Sequence, residues 1–174
     1  NYPTAELFIN GKSYGKQSKN NSSLKSRYRL MWMDAVYEPG EVKVVAYNKD
    51  GKAVAEKTVR TAGKPHHIEL VSNRNELTAD GKDLAYVTVK VVDKDGNLCP
   101  TDSRLIHFSV KGAGKFRAVA NGDPTNLEEF HLPKMQGFHG MLTAIVQAGE
   151  IAGDLVLTAK ASGVKTGTVH LQAK

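Results

Sequence analysis

The sequence predicts an all-β protein built as two consecutive antiparallel β-sandwiches. Three observations carry this. Two-residue alternation of apolar and polar side chains dominates the chain, and no window offers an amphipathic helix. Connectors rich in Asn-Gly and Asp-Gly, namely Asn10-Gly11, Lys49-Asp50-Gly51, Asp80-Gly81 and Asp95-Gly96-Asn97, supply residues that tolerate the positive φ of hairpin turns. A weak internal repeat then sets the module count: GEVKVVAY from Gly40 and GDLVLTAK from Gly153 share a glycine, an acid, apolar residues two apart and an alanine. Each is followed by a turn and a last alternating strand, so each reads as the final hairpin of a sandwich.

The alternation places strands at Ala5–Ile9, Arg29–Val36, Val42–Asn48, Ala53–Thr61, His67–Ser72, Ala85–Val92, Leu105–Lys111, Phe116–Ala120, Gly140–Gln147, Gly153–Ala161 and Thr166–Ala173. Residues 1–62 form the first module and 66–174 the second, with Gly63-Lys64-Pro65 as a short stiff linker. The second module has strands enough for a seven-stranded sandwich of the immunoglobulin type. The first has four, too few to cover the apolar face of its own sheet, so it reads as N-terminally truncated, its opening strands lying upstream of Asn1.

With 40% hydrophobic and 24% charged residues, the chain has the composition of an ordinary globular protein. No apolar run reaches the roughly 18 residues of a membrane span. The N-terminus shows no signal-peptide pattern, which places any export signal upstream. A single cysteine, Cys99, excludes an internal disulfide and reads as a small, partly buried residue before Pro100.

The net charge of +6 is uneven: residues 1–62 carry 11 Lys/Arg against 6 Asp/Glu, and 63–174 carry 13 against 12. The excess concentrates in Lys12, Lys16, Lys19, Lys25, Arg27 and Arg29, with no acid between Lys12 and Met33 and with Tyr14 and Tyr28 interleaved. Interleaved aromatics and cations are a means of binding single-stranded nucleic acid. Ser18, Asn20, Asn21, Ser22 and Ser23 in the same stretch instead give it the composition of a solvated loop, and no nucleic-acid partner is expected.

No constellation of catalytic residues emerges. Glycosidic hydrolysis needs two carboxyl groups facing each other across a cleft. The one adjacent acid pair, Glu128 and Glu129, would point to opposite faces of a strand or into water. The histidines at 66, 67, 107, 131, 139 and 170 have no metal-ligand spacing; His131 and His139 converge only if Pro133–Gly137 turns, and a third ligand is lacking. The run from Asp93 to Asn97 fails as an EF-hand because Leu98 and Arg104 stand where Gly and Glu are required, and it reads as a turn. Gly11-Lys12-Ser13 fails as a phosphate loop because Glu6 stands where its first glycine belongs. No metal or cofactor is expected.

Three candidate binding surfaces remain, of which the basic 12–29 connection is one, as a docking element for a neighbouring domain. The segment Ala120–Gly140 is long and irregular, as interface loops commonly are. Its polar Asn121, Asp123, Thr125 and Glu128, with Phe130 and Phe138, are candidates for docking a neighbouring domain. Equally, its apolar Phe130, Leu132, Met135 and Phe138 fit a cap folded onto the sandwich end. Trp32, Tyr28 and Tyr37 are candidates for stacking on sugar rings, with a core or interface role the alternative for Trp32.

The segments AELFINGKSYGK, WMDAVYEPGEVKVVAY and VRTAGKP resemble the immunoglobulin-like domain that follows the catalytic barrel in bacterial family 2 glycoside hydrolases. LTADGKDLAYVTVKVVDKDGN, NGDPTNLEEF and GFHGMLTAIVQ are similar to the further sandwich after it. The resemblance is collinear over nearly the whole chain. It implies a non-catalytic C-terminal accessory region of a β-galactosidase-type enzyme, with the catalytic domain of the same parent chain as its partner; carbohydrate is a partner only in the alternative reading as a carbohydrate-binding module. It further implies retaining hydrolysis of β-linked sugars by two Glu residues on a (β/α)8 barrel, none of which maps onto this chain, and a periplasmic or cell-surface location. An adhesin-like stack of surface modules is the remaining alternative.

Overall fold

The computed structural model describes residues 2–174 and divides into two compact units, Asn1–Thr61 and Ala62–Lys174. The first holds one antiparallel sheet ordered β2-β1-β3-β4, with β1 at Thr4–Ile9, β2 at Lys12–Ser18, β3 at Glu41–Tyr47 and β4 at Ala53–Arg60. Strict alternation along β1 buries Ala5, Leu7 and Ile9, while Thr4, Glu6 and Phe8 face the other way. Asn10 and Gly11 make the β1–β2 turn with φ of 48° and 81°, as the Asn-Gly pair predicts. The same Asn10 side chain accepts from the Glu41 backbone N–H at 2.7 Å and donates to the Pro39 carbonyl at 3.1 Å, which fixes the entry to β3.

Here the sequence reading needs correction. Arg29–Val36, expected as a strand, is irregular, and its place in the sheet is taken by Lys12–Ser18, which had been assigned to a solvated loop. The alternating L-M-W-M pattern is real, but hydrogen-bonded pairing goes to the strand that a two-residue turn delivers to β1. β2 is an exposed edge rich in polar residues, so burial periodicity gave no signal for it.

The second unit is a sandwich of two sheets. One sheet is ordered β5-β7-β11-β9, with β5 at His67–Ser72, β7 at Leu84–Val92, β11 at Met141–Ala148 and β9 at Gly114–Ala120. The other is ordered β10-β8-β12-β13-β6, with β8 at Leu105–Gly112, β12 at Gly153–Lys160, β13 at Gly167–Ala173, and the short β10 at Lys134–Gln136 and β6 at Glu76–Leu77. β6 pairs parallel to β13; the other pairings between named strands of this sheet are antiparallel. β6 and β10 are too short for alternation to register, and β10 lies inside the segment expected to be wholly irregular.

Inward-facing residues of both sheets make one core: Val87, Val89 and Val91 from β7, Leu142, Ala144 and Val146 from β11, Leu155 and Leu157 from β12, Leu171 from β13, and Ile106 and Phe108 from β8. On β9 the register shifts between Ile145 and Val146, leaving Arg117 as the extra residue of a bulge. That shift turns both Phe116 and Val119 inward, and Phe116 stacks on Phe108 at 5.9 Å. The two segments of the internal repeat become β3 and β12, each the first strand of an antiparallel hairpin, with β4 and β13 respectively.

Candidate docking site

Residues 121–138 leave β9 and return through β10, and hydrogen bonds set their course. Val119 N–H donates to the Phe130 carbonyl and Phe108 N–H to the Pro133 carbonyl, both at 2.8 Å. Met135, on β10, is completely buried, so it anchors the segment to the core. At the far end, Gly137 N–H donates to the Arg104 carbonyl at 3.0 Å and Gly140 N–H to the Asp102 carbonyl at 2.8 Å. These carbonyls lie on a turn locked by the Asp102–Arg104 ion pair, 2.6 Å long. Burial alone would raise the Asp102 carboxyl, but the Arg104 guanidinium holds it below the usual aspartate range.

The polar docking candidates are engaged inside the loop. Asn121 accepts from Asp123 N–H at 3.0 Å and donates to the Gln136 carbonyl at 3.0 Å. Asp123 accepts from both the backbone N–H and the hydroxyl of Thr125 at 2.8 Å, bonds that lower its carboxyl below the ordinary value. Glu128 accepts from Gln136 N–H at 3.1 Å, while Glu129 pairs with His131 at 3.2 Å, so the adjacent acids have separate partners. His139 reaches the Pro100 carbonyl instead.

Outward the loop offers apolar side chains beside the exposed Glu129, His131 and Lys134. Phe130 is 56% exposed and Leu127 97%, whereas Phe138 is half-buried. Leu127 was not singled out in the sequence, where a lone leucine between Asn126 and Glu128 carries no pattern. Beside the loop, Lys115, Phe116, Arg117, His131 and Gln147 line a depression of about 560 Å³. It contains no carboxylate pair.

The three aromatic stacking candidates sit in the first unit. Trp32 is half-buried and donates its indole N–H to the Gly15 carbonyl at 2.9 Å. The Tyr37 hydroxyl lies 3.1 Å from the Thr61 hydroxyl, and the Tyr28 ring has the Arg27 guanidinium 5.8 Å from its centre. Among the described residues, the ring-to-ring contacts involve none of the three.

A further site was missed by the sequence reading. Asp93, only 2% exposed, accepts from Gly63 N–H at 2.8 Å, from Asp95 and Asn97 N–H at 2.9 and 2.8 Å, and from the Asn97 side chain. These bonds, that from Gly63 foremost, hold its carboxyl far below the usual range. Gly63 is thereby fastened into the second unit, and neighbouring Ala62 packs against the core. A D-x-D-G-N turn was legible; a buried carboxylate at its first position was not.

Fold and surface together define an all-β region in which Asn121, Asp123, Thr125 and Glu128 shape the loop and Leu127 and Phe130 are its exposed apolar side chains. Comparison with known proteins agrees. The glycoside hydrolase family 2 C-terminal domain 5 matches residues 68–170, and a domain of unknown function matches 1–55. The chain belongs to this glycoside hydrolase family 2 domain family. A β-galactosidase of Bacteroides ovatus is 42% identical over 97% of this chain and 19% of its own length. A family 2 member from Bacteroides cellulosilyticus superposes with a TM-score of 0.85 at 32% identity, covering 99% of this chain and 22% of that one. A β-glycosidase from Bacteroides vulgatus gives 0.89 at 27% identity, covering 99% and 21%. The chain thus spans about a fifth of the length of the relatives it matches.

Proposed function

We propose that the chain serves a β-galactosidase-type family 2 glycoside hydrolase, at the periplasm or cell surface, by packing on its catalytic barrel and stabilising it or bordering its entrance. The observation that carries this is the collinear similarity to the Bacteroides ovatus β-galactosidase across 97% of the chain. In this reading the parent cleaves terminal β-linked sugars with retention, using carboxylates of its barrel, and this region supplies no reacting group. Leu127 and Phe130 are the most exposed apolar side chains of the 121–138 loop. In the parent enzyme, the pair Leu127→Asp and Phe130→Asp should lower the melting temperature or raise KM for an aryl β-galactoside. A melting curve and KM both equal to wild type would count against the proposal.

Carbohydrate binding is a second reading, favoured by the exposure of Tyr28 (76%) and Tyr37 (71%). Retardation of the chain in a gel containing galactoside polymer, abolished by Tyr28→Ala, would support it.

A further inference from the structure

The densest exposed apolar surface lies outside the loop just described. Within residues 24–37 of the first unit, Leu24, Tyr28, Met33, Val36 and Tyr37 are 79%, 76%, 87%, 68% and 71% exposed, and Met31 is 40% exposed. Single exposed apolar residues are ordinary, but six along 14 consecutive residues concentrate exposed apolar side chains on one segment, a concentration that marks interfaces.

The segment is also held in shape. Arg27 donates through Nε and Nη2 to the Asn21 carbonyl at 2.9 and 2.7 Å, and its backbone N–H donates to the Ser23 carbonyl at 2.9 Å. The Trp32 indole ties the middle to β2, and the Tyr37 hydroxyl ties the end to Thr61. Little ordering remains to oppose association, which is what a preformed docking surface requires.

Charge gives the partner's chemistry. Lys25 and Arg29 are exposed beside the apolar residues, and neither is in an ion pair among the described residues. No acid occurs from Lys12 through Met33; Asp34 and Glu38 follow at the opposite end. A complementary surface is apolar at its centre and acidic where it meets Lys25 and Arg29. The relatives carry about four-fifths of their length outside the matched region, so most of a parent chain is available to supply it.

We infer that residues 24–37 form the seat on which the catalytic domain of the parent polypeptide docks, through an apolar patch with an acidic margin. This rests on the reading that the chain is part of a family 2 glycoside hydrolase, and it shifts the main contact from the 121–138 loop to the first unit.

Two methionines provide the test, because peroxide oxidises methionine according to its exposure. The intact parent enzyme is treated with hydrogen peroxide, and oxidation of Met33 and Met135 is followed by peptide mass spectrometry. Met135, completely buried, is the protected reference. Docking predicts that Met33 oxidises at least about tenfold more slowly than free methionine, at low and high enzyme concentration alike and without added sugar. Lys25→Glu with Arg29→Glu should then speed Met33 oxidation several-fold and leave Met135 unchanged. Oxidation of Met33 at the free rate overturns the inference. So does protection that disappears on dilution, which would mark contact between copies, or protection seen only with added oligosaccharide, which would mark a glycan site. Activity on a galactoside tests the enzymatic reading separately, since the footprint registers docking whatever the substrate.

Discussion

Met135→Ala tests whether the 121–138 segment is anchored to its own sandwich. The side chain is completely buried on β10, inside the core cluster. Truncation removes the thioether sulfur and two carbon groups, worth about 2 kcal/mol at roughly 0.8 kcal/mol per methylene equivalent. Incomplete collapse around the vacated volume adds about 1 kcal/mol, for a total near 3 kcal/mol, within the usual range for burial-to-alanine changes. A domain of this size has a total stability of about 5–15 kcal/mol, so the loss is large and should lower the melting temperature by roughly 10 °C. Leu127→Ala, at a position 97% exposed, should change stability by less than about 0.5 kcal/mol. Urea unfolding of the two variants beside wild type measures both effects. Equal midpoints for Met135→Ala and Leu127→Ala would refute the anchoring argument.

Three further outcomes follow from the geometry. Asp93 has a depressed folded-state carboxyl, so its contribution is complete above the ordinary aspartate value of about 3.9 and is lost as pH falls below it. Thermal melting should therefore show wild type losing stability steeply below about pH 4 and Asp93→Asn losing it less steeply; parallel curves would contradict the assignment. Gly112 has φ of 92°, and a methyl group there would meet the Asp154 carbonyl oxygen, whereas Gly122, at 77°, has open space around it. Gly112→Ala should thus be markedly more destabilising than Gly122→Ala in denaturant titration. Cys99 is 3% exposed, and burial, with Asp93 next, raises its thiol, so iodoacetamide should label it orders of magnitude more slowly in the native chain than in urea.

Much of the fold was legible because burial imposes a period of two. Strands β7, β11, β12 and β13 alternate cleanly, since each places one face in a shared core. β2 escaped notice because an edge strand facing solvent on both sides has no such period, and the apolar run from Leu30 to Met33 then drew the strand assignment to itself. β6 and β10 were lost to their brevity.

Site residues were less legible for a different reason. Asn121, Asp123, Thr125 and Glu128 read as docking residues in the sequence, yet short polar side chains next to backbone N–H groups in a loop engage those groups first. Asp93 shows the converse, since alternation gives no warning that a turn residue is buried. Met31 and Met33, by contrast, read as half of a strand when they belong to an exposed, hydrogen-bond-braced segment.

The central claim is that this region stabilises a glycoside hydrolase without taking part in its chemistry. Residual β-galactosidase activity after heating, compared between the parent enzyme and a version lacking residues 1–174, tests it most directly. The account predicts that the shortened enzyme still cleaves an aryl β-galactoside before heating but is inactivated at a temperature lower by about 5 °C or more. The same inactivation temperature as the parent, or a folded shortened enzyme with no activity at all, would contradict it.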